Sequence, residues 1–337
     1  MDLNTLLPWW APAAAEPGRA AGDFVLLACV PALALAIDRV LGEPGRRWHP
    51  VVWMGHYLAW AGARLAPAVG QPRVLSDARV FWFAALAWCA AATTVFALAW
   101  LFQGWVLTQP LWLAALALGL FLKPLLSWAM LHDEVLAVER ALTESLDAGR
   151  AQLQWLVSRD VSDLSEAQVR ESALESLAEN LNDALVAPLM WFVLLGLPGA
   201  ALFRFANTAD AMWGYRGARG GRDWTHAGKW AARADDVLAW LPARLTALLI
   251  ALLGGARGLA RLPQEAARTP SPNSGWPMAA LALALGVHLR KPGVYTLNAG
   301  GRTPEPMDLL RACTLGSRTA LLATLLACTA ILLPAAA

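Results

Sequence analysis

Charge is scarce in this sequence. Only 15% of its residues are Asp, Glu, Lys or Arg, whereas a soluble globular protein carries about 25%. With 58% hydrophobic residues, that shortage excludes an ordinary soluble domain and points to an integral membrane protein. The formal net charge is only +2, and no basic run is interleaved with aromatics, so nucleic acid is excluded as a partner. The four cysteines, Cys29, Cys89, Cys313 and Cys328, form no CxxC pair. Three stand in apolar runs and read as small buried hydrophobes, so neither a disulfide frame nor a cysteine metal site is expected. The N-terminus lacks a basic n-region and is not read as a cleaved signal. A short extramembrane arm with Trp9 and Trp10 near the interface is expected instead. GxxxxGK(S/T), GxSxG, HExxH and a GxGxxG after a strand are all missing, so any nucleotide is held without a familiar P-loop. There is no internal repeat and no long disordered linker. A single membrane-embedded domain over 1–337 is the simplest parse, with its polar core at about 132–275.

What the chain has is long apolar runs, several of them sufficient for about 30 Å of hydrocarbon. Full spans are expected at 24–41, 80–102, 111–131 and 319–334. Lys123 inside the third either snorkels to the surface or faces a polar cavity. The loop carrying Arg46, Arg47, Arg64, Arg73 and Arg79 is basic, which assigns it to the cytoplasmic side. Residues 184–206 are apolar but interrupted by Pro188, Gly196, Pro198 and Gly199. A simple crossing there would put the following basic segment outside, so a broken or re-entrant hairpin packed on protein is expected. Residues 237–253, compromised by Pro242 and Arg244, also return, and 276–289 is too short to span. The expected architecture is all-α and polytopic: about four full transmembrane helices, broken or re-entrant helices, and cytoplasmic helical loops.

Between Val157 and Leu241, ionisable groups stand beside segments of membrane depth. They are costly there, which makes them functional candidates. Ser165 with Gln168 three residues on is a capping-box pattern. In the helix it starts, Glu171, Glu175, Glu179 and Asp183 recur every four residues and form one ridge. A solvated face is the plainer account of that ridge. Magnesium would remove the like-charge repulsion, and Asn180 and Asp183 run straight into an apolar segment where water is leaving. Asn207 and Asp210, three apart, share a helix face, with Arg216 following; such a set could hold a magnesium–phosphate group or simply cap and turn. Asp235 or Asp236 could be a plain helix cap. Arg244 inside an apolar run needs an acceptor, which a phosphate or carboxylate would supply.

Six blocks, in order, resemble the adenosylcobinamide-phosphate synthase family of cobalamin biosynthesis, also called CobD/CbiB. They are D-R-V-L-G-E-P with W-H-P-V between Asp38 and Val51, S-R-D from Ser158, and E-S-L-A-E-N-L-N-D-A-L-V-A-P-L from Glu175. N-T-A-D-A-M-W-G-Y-R follows from Asn207, A-A-R-A-D-D-V-L-A-W-L-P-A-R-L from Ala231, and S-P-N-S-G-W-P from Ser271. The chain departs from the family pattern at Val161, Ala184 and Met278, and keeps only part of a later loop, as Tyr295 and Gly300 to Gly301.

The resemblance implies a multi-pass amide ligase of the inner cell membrane with cytoplasmic polar loops. It would join adenosylcobyric acid to (R)-1-amino-2-propanol or its O-phosphate, giving adenosylcobinamide or its phosphate, with ATP and magnesium. The matching positions assign Glu175, Glu179, Asn180, Asp183 and Asp210 to magnesium. Arg159, Arg216, Arg233 and Arg244 would hold phosphates or the substrate carboxylate, with Asn207 and Asn273 also binding substrate. His49, Asp160 or Asp236 would be the base. Expected partners are the corrinoid, the aminopropanol or its phosphate, membrane lipid, and other enzymes of the cobalamin pathway. The competing readings are a non-catalytic AmpE-like regulatory relative, a membrane transferase using a magnesium-diphosphate substrate, and a transporter with broken helices.

Overall fold

A computed structural model of the chain describes residue 9 and residues 24–71, 75–256 and 258–333. Apart from Trp9, the expected N-terminal arm lies outside the described residues, as does Arg73.

Among the described residues the regular structure is helical, apart from two short antiparallel ribbons. The first expected span is two pieces, α1 (Phe24–Ala28) and α2 (Val30–Leu41). They part at Cys29 because Pro31, in the first turn of α2, has no N–H to continue the ladder. After α3 (Pro50–Leu65), α4 (Asp77–Leu107) runs unbroken for 31 residues. Only 17% of its most apolar window is buried, and Trp82, Leu86, Leu98, Trp100, Leu101 and Trp105 point outward. Such a surface suits lipid and not water. The third run, Leu111–Glu144, is one long path. It comprises α5 (Leu111–Leu122), a 3-10 turn around Pro124, and α6 (Trp128–Glu144). Lys123 in that turn faces inward, 3.4 Å from Asp38 and 3.1 Å from Glu43.

A short α7 (Leu146–Leu153) leads to α8 (Glu166–Leu181), which opens on the expected capping box with both reciprocal bonds formed. Every residue from Val169 to Ala178 is buried, so the acidic ridge is not a solvated face. α6, α7, α14 (Gly275–Leu285), the ribbon strand β3 (Leu289–Lys291) and α15 (Pro306–Leu332) enclose it. A π turn, Asn182–Val186, then widens the helix before α9 (Ala187–Leu195).

Across Gly196, α9 packs against α10 (Leu197–Trp213), the expected helical hairpin. Gly196 sits at φ +72°, and a Cβ there would strike the Gln103 side chain. That side chain accepts the Leu197 N–H at 2.7 Å. A ribbon of β1 (Ala218–Arg219) and β2 (Arg222–Asp223) precedes α11 (Lys229–Leu238) and α12 (Trp240–Leu253). These two form a pair bent by 47°. A short α13 (Leu262–Ala266) then leads into α14. β3 pairs with β4 (Tyr295–Leu297). The last helix begins at Pro306, well before the apolar run from 319, because Asp308 is buried in its first turn, bound by Arg302 at 2.6 and 2.7 Å.

Among the described residues, three helices are long and apolar enough to cross a membrane, or four if the bent pair is one span. The expected total of about four is reached only when that pair is counted as one span, and the divided 24–41 segment is not among the helices that qualify.

Candidate functional site

The π turn brings the acidic groups together. It inserts an extra residue into the helix just where α8 leaves its enclosure, and such bulges recur at functional sites. Asp183, in the turn, accepts hydrogen bonds from Asn182 at 2.7 Å and from Asn207 of α10 at 3.1 Å. Arg204 of α10 donates to the Asp183 carbonyl at 3.4 Å and to the Ser127 hydroxyl at 3.3 Å. The Asn182 side-chain oxygen accepts from the Thr246 hydroxyl of α12 at 3.0 Å. Three elements are thereby pinned around one turn of helix.

A cavity of about 400 Å³ opens beside it. Glu179, Asp183, Asp210, Asp235 and Asp236 line it from α8, the π turn, α10 and α11, with Arg216 and the loop Pro270–Ser274 completing the wall. Asp235 is the most telling of these, because its Oδ1 is buried without a hydrogen-bond partner. Arg216 has no ion pair among the described residues. Burial and the neighbouring Asp183 and Glu175 push the Glu179 carboxyl up to about 7. Glu179 is nonetheless open to the cavity: it meets water only through a cleft walled by protein and other carboxylates. Burial, Asp236 and Asp183 push Asp210 up to about 6. Gly214 makes room for that carboxylate, since a Cβ there would overlap Asp210 Oδ1.

A second pocket, about 190 Å³, adjoins the first and shares Glu179. Glu175 and Asn180 line this one, not the larger cavity, together with Arg159, Lys291 and Tyr295. Arg159 donates to Glu175 at 3.2 Å and to Ser172 at 2.6 Å. The five residues assigned to magnesium therefore divide: Asp183 and Asp210 in one chamber, Glu175 and Asn180 in the other, and Glu179 between them. Among the described residues no three His, Cys, Asp or Glu side chains are grouped as a ready metal cage. The donor set still suits magnesium, which takes one or two carboxylates, keeps several waters and completes its shell from phosphate.

Four assigned residues lie outside the cavity or are engaged elsewhere. His49 caps α3: its Nδ1 accepts the Val51 N–H at 3.3 Å, so Nε2 carries the proton and donates to Glu43 at 3.0 Å. Both ring nitrogens are engaged, and His49 lines neither pocket. Asp160 is exposed and lies outside both pockets. It accepts the Ser162 N–H at 3.0 Å, and that bond holds its carboxyl below the usual range. Arg233 is exposed and outside the cavity. Arg244 is stacked between Trp240 and Trp276, 4.1 and 4.7 Å from their ring centres. It donates to Asn273 at 3.2 Å and to the Pro272 carbonyl at 3.3 Å. The acceptor it needed is the loop itself. Asn273 in turn donates to the Asp236 carbonyl at 2.8 Å, so the pair fixes the cavity wall.

Sequence reasoning missed several contributors. Asn182 was legible, lying within the acidic block. Lys291 and Tyr295 come from a ribbon more than 100 positions from Glu179, and no local pattern links them. The ribbon is fastened by Glu171, fully buried, which accepts the Arg290 N–H at 2.7 Å and its guanidinium at 2.9 Å.

A family profile described as CobD/Cbib protein matches residues 31–315. A probable cobalamin biosynthesis protein CobD of Methanothermobacter thermautotrophicus is 40% identical over 301 residues, covering 88% of this chain and 95% of the relative. The cobalamin biosynthesis protein CobD of Chromobacterium violaceum is 41% identical over 298 residues, covering 85% and 91%. That of Rhodobacter capsulatus is 38% identical over 307 residues, again covering 85% and 91%. No solved structure matches the chain. A match over most of the length, at about 40% identity, makes this chain a member of the CobD/Cbib family of cobalamin biosynthesis.

Proposed function

We propose that this protein joins adenosylcobyric acid to (R)-1-amino-2-propanol or its O-phosphate through an amide bond, at the expense of ATP. The observation that carries the reading is the convergence of Asp183, Asp210 and Asp235, from three elements, on one cavity where Asp235 has a bare oxygen and Arg216, near Asp236, makes no close salt bridge among the described residues. Unneutralised carboxylates in such a place repel one another and are poorly solvated. A hard cation with phosphate removes both costs.

Amide formation from a carboxylate in water is uphill, and magnesium-ATP supplies the phosphoryl group that turns the carboxylate into an electrophile. The chain's own part is placement. Asp183 and Asp210, with Glu179 or Asp235, would hold the ion. Arg216 would hold phosphate oxygens, where charge develops. Asp236, which faces the same cavity, would accept the proton that the ammonium must lose before it can attack. Asn207 orients Asp183, and Arg244 with Asn273 keeps the wall in place. The bulky corrinoid would enter from the open side of the cavity, which on this reading faces the cell interior with the basic loops.

The test uses purified full-length protein with adenosylcobyric acid, either amine and magnesium-ATP, with the corrinoid product read by mass. The expected result is one amide per ATP consumed, abolished in Asp183→Asn. A folded preparation that binds magnesium-ATP yet forms no amide with either amine overturns the reading. Sidedness is tested with Lys229→Cys against an impermeant thiol reagent: protection in intact cells is expected, and labelling there beyond that of the parent overturns the orientation.

A further inference from the structure

We infer that the apolar groove between α3, α4, α5 and α10 is a binding site for an anionic phospholipid, with one acyl tail in the groove and the phosphate on Arg46 and Arg47. The inference stands apart from the ligase reading, because no carboxylate of the acidic cavity takes part in it.

The lining of the groove shows what it can hold. Its volume is about 540 Å³. Three of its side chains carry a polar hydrogen, and each already donates it to a backbone carbonyl: Tyr57 to Ala87 at 2.9 Å, Thr94 to Ala90 at 2.8 Å, and Trp53 to Arg47 at 2.9 Å. The wall has no free donor to orient a polar ligand, whereas hydrocarbon fills it without leaving a hydrogen bond unmade. Along α4 the lining runs from Ala90 to Phe102, roughly 18 Å at the helical rise. One leaflet contributes about 15 Å of the hydrocarbon core, so the groove has the length of a single lipid tail. Leu98 of α4 and Phe121 of α5, both exposed, edge it. It therefore opens sideways, beside the surface that α4 turns to lipid.

Charge selects the headgroup. The α3 wall of the groove begins at Pro50, directly after the 3-10 turn Arg46–Trp48 and its cap His49. Arg46 and Arg47 are exposed, and neither guanidinium has an ion pair or hydrogen bond among the described residues. Two bare cations beside exposed Val40, Leu41 and Trp48 make a rim suited to the level of lipid phosphates. The turn is also held in place. Glu43 and His49, on either side of it, bond to each other at 3.0 Å, and the Trp53 indole ties Arg47 to the groove wall. A phosphate on the two arginines thus brings its tail to the groove. A choline lipid carries its own cation to the same two cations, so an anionic headgroup is preferred. The opposite wall is Leu197, Ala201 and Phe205 of α10. That helix carries Asn207 and Asp210, so a bound tail braces one side of the acidic cavity.

The test is native mass spectrometry of the full chain in detergent, titrated with dioleoyl phosphatidylglycerol or dioleoyl phosphatidylcholine. The parent is expected to retain one phosphatidylglycerol, about tenfold or more in preference to the choline lipid. Arg46→Gln with Arg47→Gln should weaken retention of phosphatidylglycerol roughly tenfold and leave the choline lipid within about twofold. Thr94→Phe, whose ring takes up room in the groove, should reduce retention of both lipids. Glycerophosphoglycerol, the same headgroup without tails, should not displace the bound lipid. Far-ultraviolet circular dichroism in lipid-free detergent separates lost binding from lost fold, and the exposed arginine pair decides the matter even if Thr94→Phe does not fold. Equal retention of the two lipids by the parent overturns the proposal. So does an undiminished preference in the arginine variant, full retention in folded Thr94→Phe, or displacement by the bare headgroup. A dimer that Thr94→Phe disrupts, with no lipid bound, gives the groove to a second copy of the chain and overturns it as well.

Discussion

Replacing Asp210 by asparagine should make the metal-free protein more stable while destroying its response to magnesium. Asp210 lies on α10, outside the candidate spans, with its carboxyl pushed up to about 6 from 3.8 by burial and by Asp236 and Asp183. Between those two pH values the folded chain holds a proton that the unfolded chain releases. Ionising Asp210 therefore subtracts stability as pH rises from near 4 to about 6, and the whole cost is present above that. The difference corresponds to at most about 3 kcal/mol, and water in the open cavity brings it to roughly 1–3 kcal/mol. Asparagine keeps the shape and removes the charge. At pH 8 the variant should melt roughly 2–6 °C above the parent in detergent micelles; at pH 4 the two should coincide. Magnesium should reverse the order, since an ion bound to the folded state stabilises only the protein that holds it. The assay is tryptophan fluorescence during heating, at both pH values, with and without magnesium-ATP. A variant less stable than the parent at pH 8, equally stabilised at pH 4, or still raised by magnesium would refute the reasoning.

Three further outcomes are expected. Gly214→Ala should cost most of the amide-forming activity with little loss of folded protein, because its Cβ would displace the Asp210 carboxylate; full activity would show that the carboxylate has room elsewhere. Arg244→Lys should raise KM for the corrinoid and quicken proteolysis at the Pro270–Ser274 loop, at a stability cost of about 1–3 kcal/mol, because lysine cannot reproduce the fork onto Asn273 and Pro272 or the stack between two tryptophans. An effect confined to the nucleotide would return Arg244 to phosphate binding. Magnesium affinity should climb with pH through 6 to 7 and level off above about 8, since Glu179 and Asp210 titrate near 7 and 6 and the ion must displace their protons. An affinity independent of pH across that window would remove both from the ion.

The expected spans differ from the observed ones for local reasons. At 24–41 composition was right, but one proline divides the helix. At 319–334 hydropathy caught only the apolar half of a helix whose polar first turns are held by Arg302 on Asp308. The four-residue acidic spacing was also correct, yet it misled, because it assigns one environment to Glu171, Glu175, Glu179 and Asp183. Each has its own: Arg290 for the first, Arg159 for the second, open cavity for the third, and two asparagines for the last. His49 and Arg244 were conspicuous by residue type, and both spend their polar groups on protein.

What this chain's sequence determined by itself is its solvent and its helices. Apolar run length, scarce charge, the Ser165 capping box and the breaking residues at Gly196 act over a few positions, so their meaning can be read in place. It also singled out the polar blocks, since ionisable groups in such surroundings are too costly to be idle. The tertiary structure alone decided which of them meet. Glu171 and Arg290 are 119 positions apart, and Lys291 reaches the pocket only because that pair closes. The π turn follows no residue pattern; it forms where α8 leaves the enclosing helices and Asn182 finds Thr246. Helix spacing acts along the chain, whereas the charge balance of a cavity depends on distances across it, and those exist only once the helices have packed.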